Sequence, residues 1–176
     1  MKTFATLLIC VPALFAMETA KPIQKIATPL APMPVGVFTL QSSPDLPRGI
    51  EQATEGVPFL TRGLAEKRLT DINPAYRRVV LSQDGSAVTI QFDGRQPVRV
   101  PLRGGTAWTR EDGETFWVSA VASPSKIVQT YKAKDGERTN EFTLSPTGQS
   151  LILKVSVRSP KLSKVLHYSL VYAAAK

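Results

Sequence analysis

Few side chains in this sequence could do chemistry. The chain of 176 residues contains one His and one Cys. Neither an intrachain disulfide nor a zinc site of Cys and His ligands can be built from those two residues. His167 is the only candidate base for a Ser-His arrangement, and it alternates with the apolar residues of a predicted strand, which places it on the exposed face. The sequence therefore predicts a non-enzymatic protein with no metal and no cofactor.

A second group of side chains could bind a ligand. Arg138 shares the face of a predicted strand with Phe142 and Leu144, and Tyr168 shares a face of the last strand with Tyr172, because side chains alternate between the two faces of a strand. If both faces line a barrel interior, the five residues form an apolar site with one cation for an anionic head group. The alternative is that Arg138 lies in solvent and the aromatic residues fill a solid barrel.

The positive charge is spread along the chain. Lys and Arg outnumber Asp and Glu by 22 to 14, which gives a net charge of +8. Nucleic-acid binding proteins usually have a coherent basic patch with stacking aromatic residues, and no such patch is visible here. We therefore expect no nucleic-acid partner. We expect a monomer that binds a small hydrophobic or amphipathic ligand. The positive charge could also attract anionic envelope lipid, although a solvated basic surface is the simpler interpretation of the charge.

The first twenty residues predict export. Met1-Lys2-Thr3 carries one positive charge, and the apolar, uncharged segment from Phe4 to Met17 follows. That pattern is typical of a signal peptide over residues 1–20, and it directs a protein to the periplasm or outside the cell. A lipoprotein modified at Cys10 and an uncleaved anchor are the alternatives. Residues 21–34 contain four prolines without periodicity and predict an extended tether.

One stretch has helical periodicity. Leu46, Ile50 and Ala53 recur at steps of four and three, and the pattern continues through Val57, Leu60 and Leu64. Because proline is not tolerated in a helix interior, Pro58 should divide the stretch into two short helices joined at residues 56–58. We expect a helix pair over about residues 45–70, with the whole apolar stripe packed on the rest of the protein.

The remainder of the chain has the period of strands. Apolar and polar residues alternate in runs such as 88–92, 98–102, 151–158 and 166–172, and Asp-Gly pairs and other turn signals separate the runs every 9 to 12 residues. With a strand at residues 35–41, the count is one strand before the helices and nine after them. Such a meander buries one face by closing on itself. The prediction is a mainly β protein, in which residues 35–176 form a single closed or nearly closed antiparallel up-and-down barrel of about ten strands.

The order of these elements resembles the calycin superfamily. A strand, a helix pair and nine meandering strands are the arrangement of fatty-acid-binding proteins, in which the helices lie over the barrel mouth. The segments 62–69 and 168–172 are also similar to small secreted bacterial proteins of lipocalin-like fold. Fatty-acid-binding proteins hold a ligand carboxylate with an Arg two residues before a Tyr in the last strand. Here Leu166 precedes Tyr168 and Leu170 precedes Tyr172, so that strand does not carry the device.

The resemblance implies a secreted, non-enzymatic carrier of a small apolar or amphipathic, lipid-like ligand, with the helix pair as a lid. The alternative is a structural or protein-interaction module of the cell envelope with a solid-packed barrel. The interior volume distinguishes the two, because a ligand pocket occupies roughly 300–1,000 Å³.

Overall fold

A computed structural model describes residues 33–175, which form ten strands and two helices. The first strand precedes the helices and nine strands follow them, as predicted. The elements are β1 (Gly36–Ser42), α1 (Leu46–Thr54), α2 (Phe59–Ile72), β2 (Arg78–Gln83), β3 (Ala87–Phe92), β4 (Val98–Pro101), β5 (Thr106–Thr109), β6 (Thr115–Ser123), β7 (Lys126–Ala133), β8 (Gly136–Leu144), β9 (Ser150–Arg158) and β10 (Leu166–Ala174).

The strands form one antiparallel sheet in the order β4-β3-β2-β1-β10-β9-β8-β7-β6-β5. The first strand pairs with both β2 and β10, which joins the two ends of the meander. No backbone ladder joins β4 to β5 within the described residues, so the meander is interrupted once and the barrel is nearly closed. The predicted mainly β, up-and-down barrel with a helix pair after its first strand is therefore confirmed.

Alternate residues of each strand face the barrel interior. In β9, for example, Leu151, Leu153 and Val155 are each at most 1% exposed, while the residues between them point to solvent. In the first strand Phe38 is buried, whereas its neighbours Val37 and Thr39 are more exposed. The hydrophobic effect favours this register, since it puts the largest apolar side chain of the strand inside.

The first helix packs closely on the last strand. Leu46, Ile50 and Ala53 are buried and belong to the main hydrophobic core. A Cβ atom at Gly49 would collide with the backbone carbonyl oxygen of His167, so glycine permits the helix to approach the strand this closely. In the connection between β9 and β10, the Ser163 hydroxyl donates a hydrogen bond to the Ala53 carbonyl oxygen of α1 (3.0 Å). These contacts fix α1 over one side of the barrel end.

The second helix differs from the prediction. Leu60 is 92% exposed and Leu64 is 58% exposed, so the expected continuation of the apolar stripe onto the barrel is wrong. The break at residues 56–58 resets the helical phase, and α2 buries Leu69 instead. Its first two turns thus leave three large apolar side chains in solvent, since Phe59 is also exposed.

The predicted signal peptide and almost all of the predicted tether lie outside the described residues. Export therefore stays a prediction from the sequence. Within residues 33–175, no helix has both the length and the apolar character needed to cross a membrane.

Candidate functional site

A cavity of about 290 Å³ opens at the end of the barrel that carries the helices. It lies between the C-terminal end of α2, the β3–β4 turn and the β5–β6 hairpin, and it reaches inward to β7 and β8. This cavity is called the mouth below. Its aromatic and inward-facing polar lining residues are Tyr76, Phe92, Trp108, Phe116, Tyr131, Arg138 and Asn140.

Three aromatic rings form one wall of the mouth. Trp108 on β5 is opposite Phe116 on β6, because those residues pair across the hairpin. Their ring centroids are 5.9 Å apart, and Tyr131 on β7 lies 5.7 Å from Trp108 and 6.1 Å from Phe116. Both contacts of Tyr131 are edge-on, which is a favoured geometry for aromatic pairs. The neighbouring Trp117 points outward and is 54% exposed, as strand alternation predicts.

A second aromatic pair contributes to the lining from the other side of the β4–β5 gap. Tyr76, in the connection between α2 and β2, stacks on Phe92 at the end of β3 with ring centroids 4.5 Å apart. Phe92 also contacts Phe142 deeper in the barrel, with a centroid separation of 6.2 Å. The mouth is therefore bounded by flat apolar surfaces, which are suited to hydrophobic contact with a ligand.

Arg138 is held at the inner part of the mouth by neutral groups. Its Nε donates to Asn140 Oδ1 (2.9 Å), its Nη1 to Asn73 Oδ1 (3.0 Å) and its Nη2 to Tyr168 Oη (3.3 Å). Of the two orientations that the sequence left open, Arg138 takes the inward one, and its side chain is half-buried. A guanidinium has five N–H donors, so these three contacts leave further donors for a ligand.

The polar network continues below Arg138. Asn140 is 1% exposed, and its amide donates to the Gln129 side-chain oxygen (3.1 Å). Gln129 is fully buried, and its own amide nitrogen has no partner among the described residues. A buried donor without a partner costs free energy unless a water or ligand atom accepts from it. Asn73, which is also 1% exposed, is fixed by a hydrogen bond that its side-chain amide donates to the Leu69 carbonyl oxygen (2.9 Å).

The tyrosines beside Arg138 stay neutral over a wide pH range. Burial raises the pKa of the Tyr131 hydroxyl to about 12, although the nearby Arg138 charge opposes the shift. Burial also raises the pKa of Tyr168, again against the effect of Arg138. These groups therefore act near Arg138 as neutral hydrogen-bonding phenols, and they do not neutralise its charge.

The other charged groups of the mouth are paired. Arg95 binds Glu111 (3.1 Å), Arg110 binds both Asp112 and Glu114 (2.6 Å each), and Asp71 accepts from Lys67 (2.8 Å). The Arg110 contact lowers the pKa of Asp112 to about 2. No carboxylate of the described residues forms a salt bridge with Arg138, so this guanidinium is the uncompensated charge of the mouth.

Only part of the sequence-predicted site lies at this cavity. Arg138 lines it, and Tyr168 contacts Arg138 from below. Phe142, Leu144 and Tyr172 are each at most 5% exposed and belong to the packed core farther along the barrel. Their assignment as ligand contacts stays a prediction. The five predicted ligand contacts did not include the strand aromatics Trp108, Phe116 and Tyr131. They also did not include Tyr76, Asn73 and Gln129.

The only imidazole lies away from the mouth. His167 is exposed on the outer face of β10, where its Nδ1 is 2.9 Å from the Ser156 hydroxyl of the neighbouring strand. This contact joins directly paired residues of β9 and β10. Residues 33–175 contain no group of three or more His, Cys, Asp or Glu side chains placed to hold a metal ion.

Solved structures share this fold at low sequence identity. A REP1-NXSQ fatty acid transporter is 12% identical with a TM-score of 0.52, over 81% of this chain and 96% of that protein. A Schistosoma mansoni fatty acid binding protein in complex with arachidonic acid is 15% identical, with a TM-score of 0.52 over 81% and 96%. A fatty-acid-binding protein from Drosophila melanogaster brain tissue is 16% identical, with a TM-score of 0.51 over 80% and 98%.

The chain therefore has the calycin-like barrel fold of fatty-acid-binding proteins. The resemblance inferred from the order of elements is confirmed at the level of the fold. No family model matches the sequence. No curated protein matches it either.

Proposed function

We propose that this protein is an exported, non-enzymatic carrier that binds a small amphipathic ligand in the mouth of its barrel. The observation that carries the proposal is the combination of apolar ring surfaces with one uncompensated guanidinium, Arg138, in the same cavity. Aromatic surface favours burial of an apolar group, and a charge-assisted hydrogen bond favours an anionic head group. The carrier role is supported by the structural relatives, which include a fatty acid transporter and a fatty acid binding protein in complex with arachidonic acid.

Export is the second part of the proposal. It rests on the basic and then apolar start of the sequence, Met1-Lys2-Thr3 followed by residues 4–17. N-terminal sequencing of the protein recovered from the periplasm or medium should begin after residue 20 or close to it. Recovery of a chain that begins at Met1 would contradict cleavage.

The binding proposal is tested with a fluorescent anion. The dye 1-anilinonaphthalene-8-sulfonate combines aromatic rings with one negative charge, and its emission rises in apolar surroundings. Micromolar concentrations of the full chain should brighten it, and an unlabelled ligand should displace it. Native mass spectrometry of the freshly purified protein should show an added mass from a bound small molecule. If the dye does not respond and no added mass is found, the solid-packed envelope module becomes the better account.

A second candidate contact is anionic envelope lipid. The specific observation is the solvent-exposed start of α2, where Phe59 is 86% exposed and Leu60 92% exposed on a protein of net charge +8. Exposed apolar side chains on a helix that also carries basic ones such as Arg68 are suited to an anionic bilayer surface. Vesicles of phosphatidylglycerol should sediment the wild-type chain and sediment an F59S/L60S variant less, while neutral vesicles should sediment neither.

A further inference from the structure

The depth of the mouth limits the ligand. The cavity reaches two levels of inward-facing residues on β8, Arg138 and then Asn140. Two residues of a strand span about 7 Å. At the next level, Phe142 pairs with Leu153, which in turn pairs with Leu170. These three side chains are at most 1% exposed, so the interior is filled from this level downward.

The base of the barrel is equally full. Leu144 pairs with Leu151, and Leu151 pairs with Tyr172, and these side chains are at most 5% exposed. A long acyl chain bound with its carboxylate at Arg138 would have to enter this packed region. A chain that turned outward would leave its methylene groups in water and gain no hydrophobic free energy from them. The interior therefore disfavours long, flexible ligands.

The walls favour a flat ligand instead. Trp108, Phe116 and Tyr131 line one wall of the mouth, and the stacked pair of Tyr76 and Phe92 lines another. Aromatic rings interact with another ring in offset or edge-on geometries that an acyl chain cannot use. A cavity of about 290 Å³ lies at the lower limit of ligand pockets, which suits one ring or two fused rings.

The charge of the ligand follows from the pairing of the mouth residues. Every lining carboxylate and the other two lining arginines are engaged in salt bridges, whereas Arg138 has neutral partners only. A single carboxylate on the ligand would compensate this charge. A second anionic group would find no unpaired cation among the lining residues, because Arg95 and Arg110 are already paired with carboxylates.

From these features we infer that the ligand of the mouth is a compact aromatic monocarboxylate of one or two rings, and not a long-chain fatty acid. The inference rests on the proposed binding function, and it names the ligand class for the same cavity. It also separates this chain from the relative that was solved in complex with arachidonic acid, because the lower interior is filled here.

The test compares three probes by isothermal titration calorimetry with the full chain. The probes are 2-naphthoate, the uncharged naphthalene-2-carboxamide, and dodecanoate below its micellar concentration. We expect 2-naphthoate to bind at least about 10-fold more tightly than the amide, because the amide lacks the charge-assisted bond to Arg138. We also expect 2-naphthoate to bind at least about 10-fold more tightly than dodecanoate, because the filled interior leaves no space to bury the dodecanoate chain.

Each other result overturns a defined part of the account. Dodecanoate binding as tight as that of 2-naphthoate would overturn the inference and leave the proposed carrier function intact. Equal binding of the naphthoate and the amide would overturn the requirement for one negative charge. Binding of none of the three probes, together with no response to the anilinonaphthalene dye, would overturn the carrier function itself.

Discussion

The mouth and the base of this barrel share strand β8 but are packed differently. At the base, Leu144, Leu151 and Tyr172 meet in one layer and exclude solvent. At the mouth, aromatic side chains on the same sheet leave a cavity, and a guanidinium faces it with neutral partners. Strand alternation alone does not determine the difference, since both regions follow the same two-residue period.

The difference arises at the two places where the barrel departs from a closed meander. No ladder joins β4 to β5 among the described residues, and α2 covers the barrel end only near its own C-terminal end, through Leu69 and the following Asn73. Apolar surface next to such openings cannot be fully buried by the chain itself. The barrel fold therefore determines where a ligand can enter, and the side-chain packing of each layer determines how deep the cavity is.

The largest expected effect comes from opening the packed interior directly below the mouth. Phe142 is fully buried, and its replacement by Ala should lower the free energy of unfolding by about 3–5 kcal/mol, because it removes buried apolar surface and leaves a cavity. The new space would lie next to Phe92 at the mouth, so dodecanoate binding should become stronger in F142A. Chemical denaturation and calorimetry measure the two effects.

The matched control is Phe59→Ala, which removes the same side chain from an 86% exposed position. Its stability should stay within about 0.5 kcal/mol of wild type. Equal losses in the two variants would show that this interior is not packed as described.

The second-largest expected effect distinguishes the C-terminal part of α2, which packs on the barrel, from its exposed N-terminal part. Leu69→Ala should cost about 2–5 kcal/mol, because Leu69 is 7% exposed in the main core, and it should also weaken ligand binding by loosening the edge of the mouth. Leu64→Ala, at a 58% exposed position of the same helix, should change stability little. A similar melting temperature for both variants would contradict the observed attachment of α2.

These helices show what the sequence can and cannot predict. The period of two in runs such as 151–157 identified the strands and their buried faces, because each signal is local. The same kind of reasoning joined Ile50, Ala53, Leu60 and Leu64 into one buried stripe, although residues 56–58 reset the helical phase. A pattern that crosses a Pro-containing turn gives no information on which face of the second helix is buried.

The site was harder to predict than the fold for a similar reason. Arg138 was identified from its parity with Phe142, which is a local signal. Its partner Asn73 is 65 positions away in sequence and reaches it only because α2 ends above β8. Tyr76 lies outside any strand, so no alternation marks it. The depth of the cavity depends on side chains from many strands, and periodicity alone does not predict it.

A smaller effect tests the close packing that fixes α1 beside the mouth. Gly49→Ala should lower stability by about 1–3 kcal/mol, because the added methyl group would collide with the His167 backbone. Gly63→Ala is the control in α2, where a Cβ atom would meet nothing within 4 Å. That variant should gain about 0.5–1 kcal/mol from improved helix propensity. Opposite signs in thermal denaturation are expected, and a loss in both would contradict the difference between the helices.

The last prediction is measured on ligand binding. Arg138→Gln should weaken binding of the anilinonaphthalene dye by about 10-fold, because one charge-assisted hydrogen bond is lost. Arg99→Gln removes the same charge at an exposed pair with Asp84, and the dye should bind it as it binds the wild type. Equal weakening in the two variants would mean that overall charge, and not the mouth, attracts the anion.

The most direct test of ligand binding at the mouth is a ¹H–¹⁵N NMR titration of the full chain with 2-naphthoate. The sequence contains two tryptophans, and they lie on opposite sides of the barrel wall. We predict that the indole N–H signal of Trp108 and the Nε–H signal of Arg138 shift together and saturate, while the indole signal of Trp117 stays in place. A shift of Trp117 without Trp108, or no shift of Arg138 at saturation, would contradict binding in the mouth.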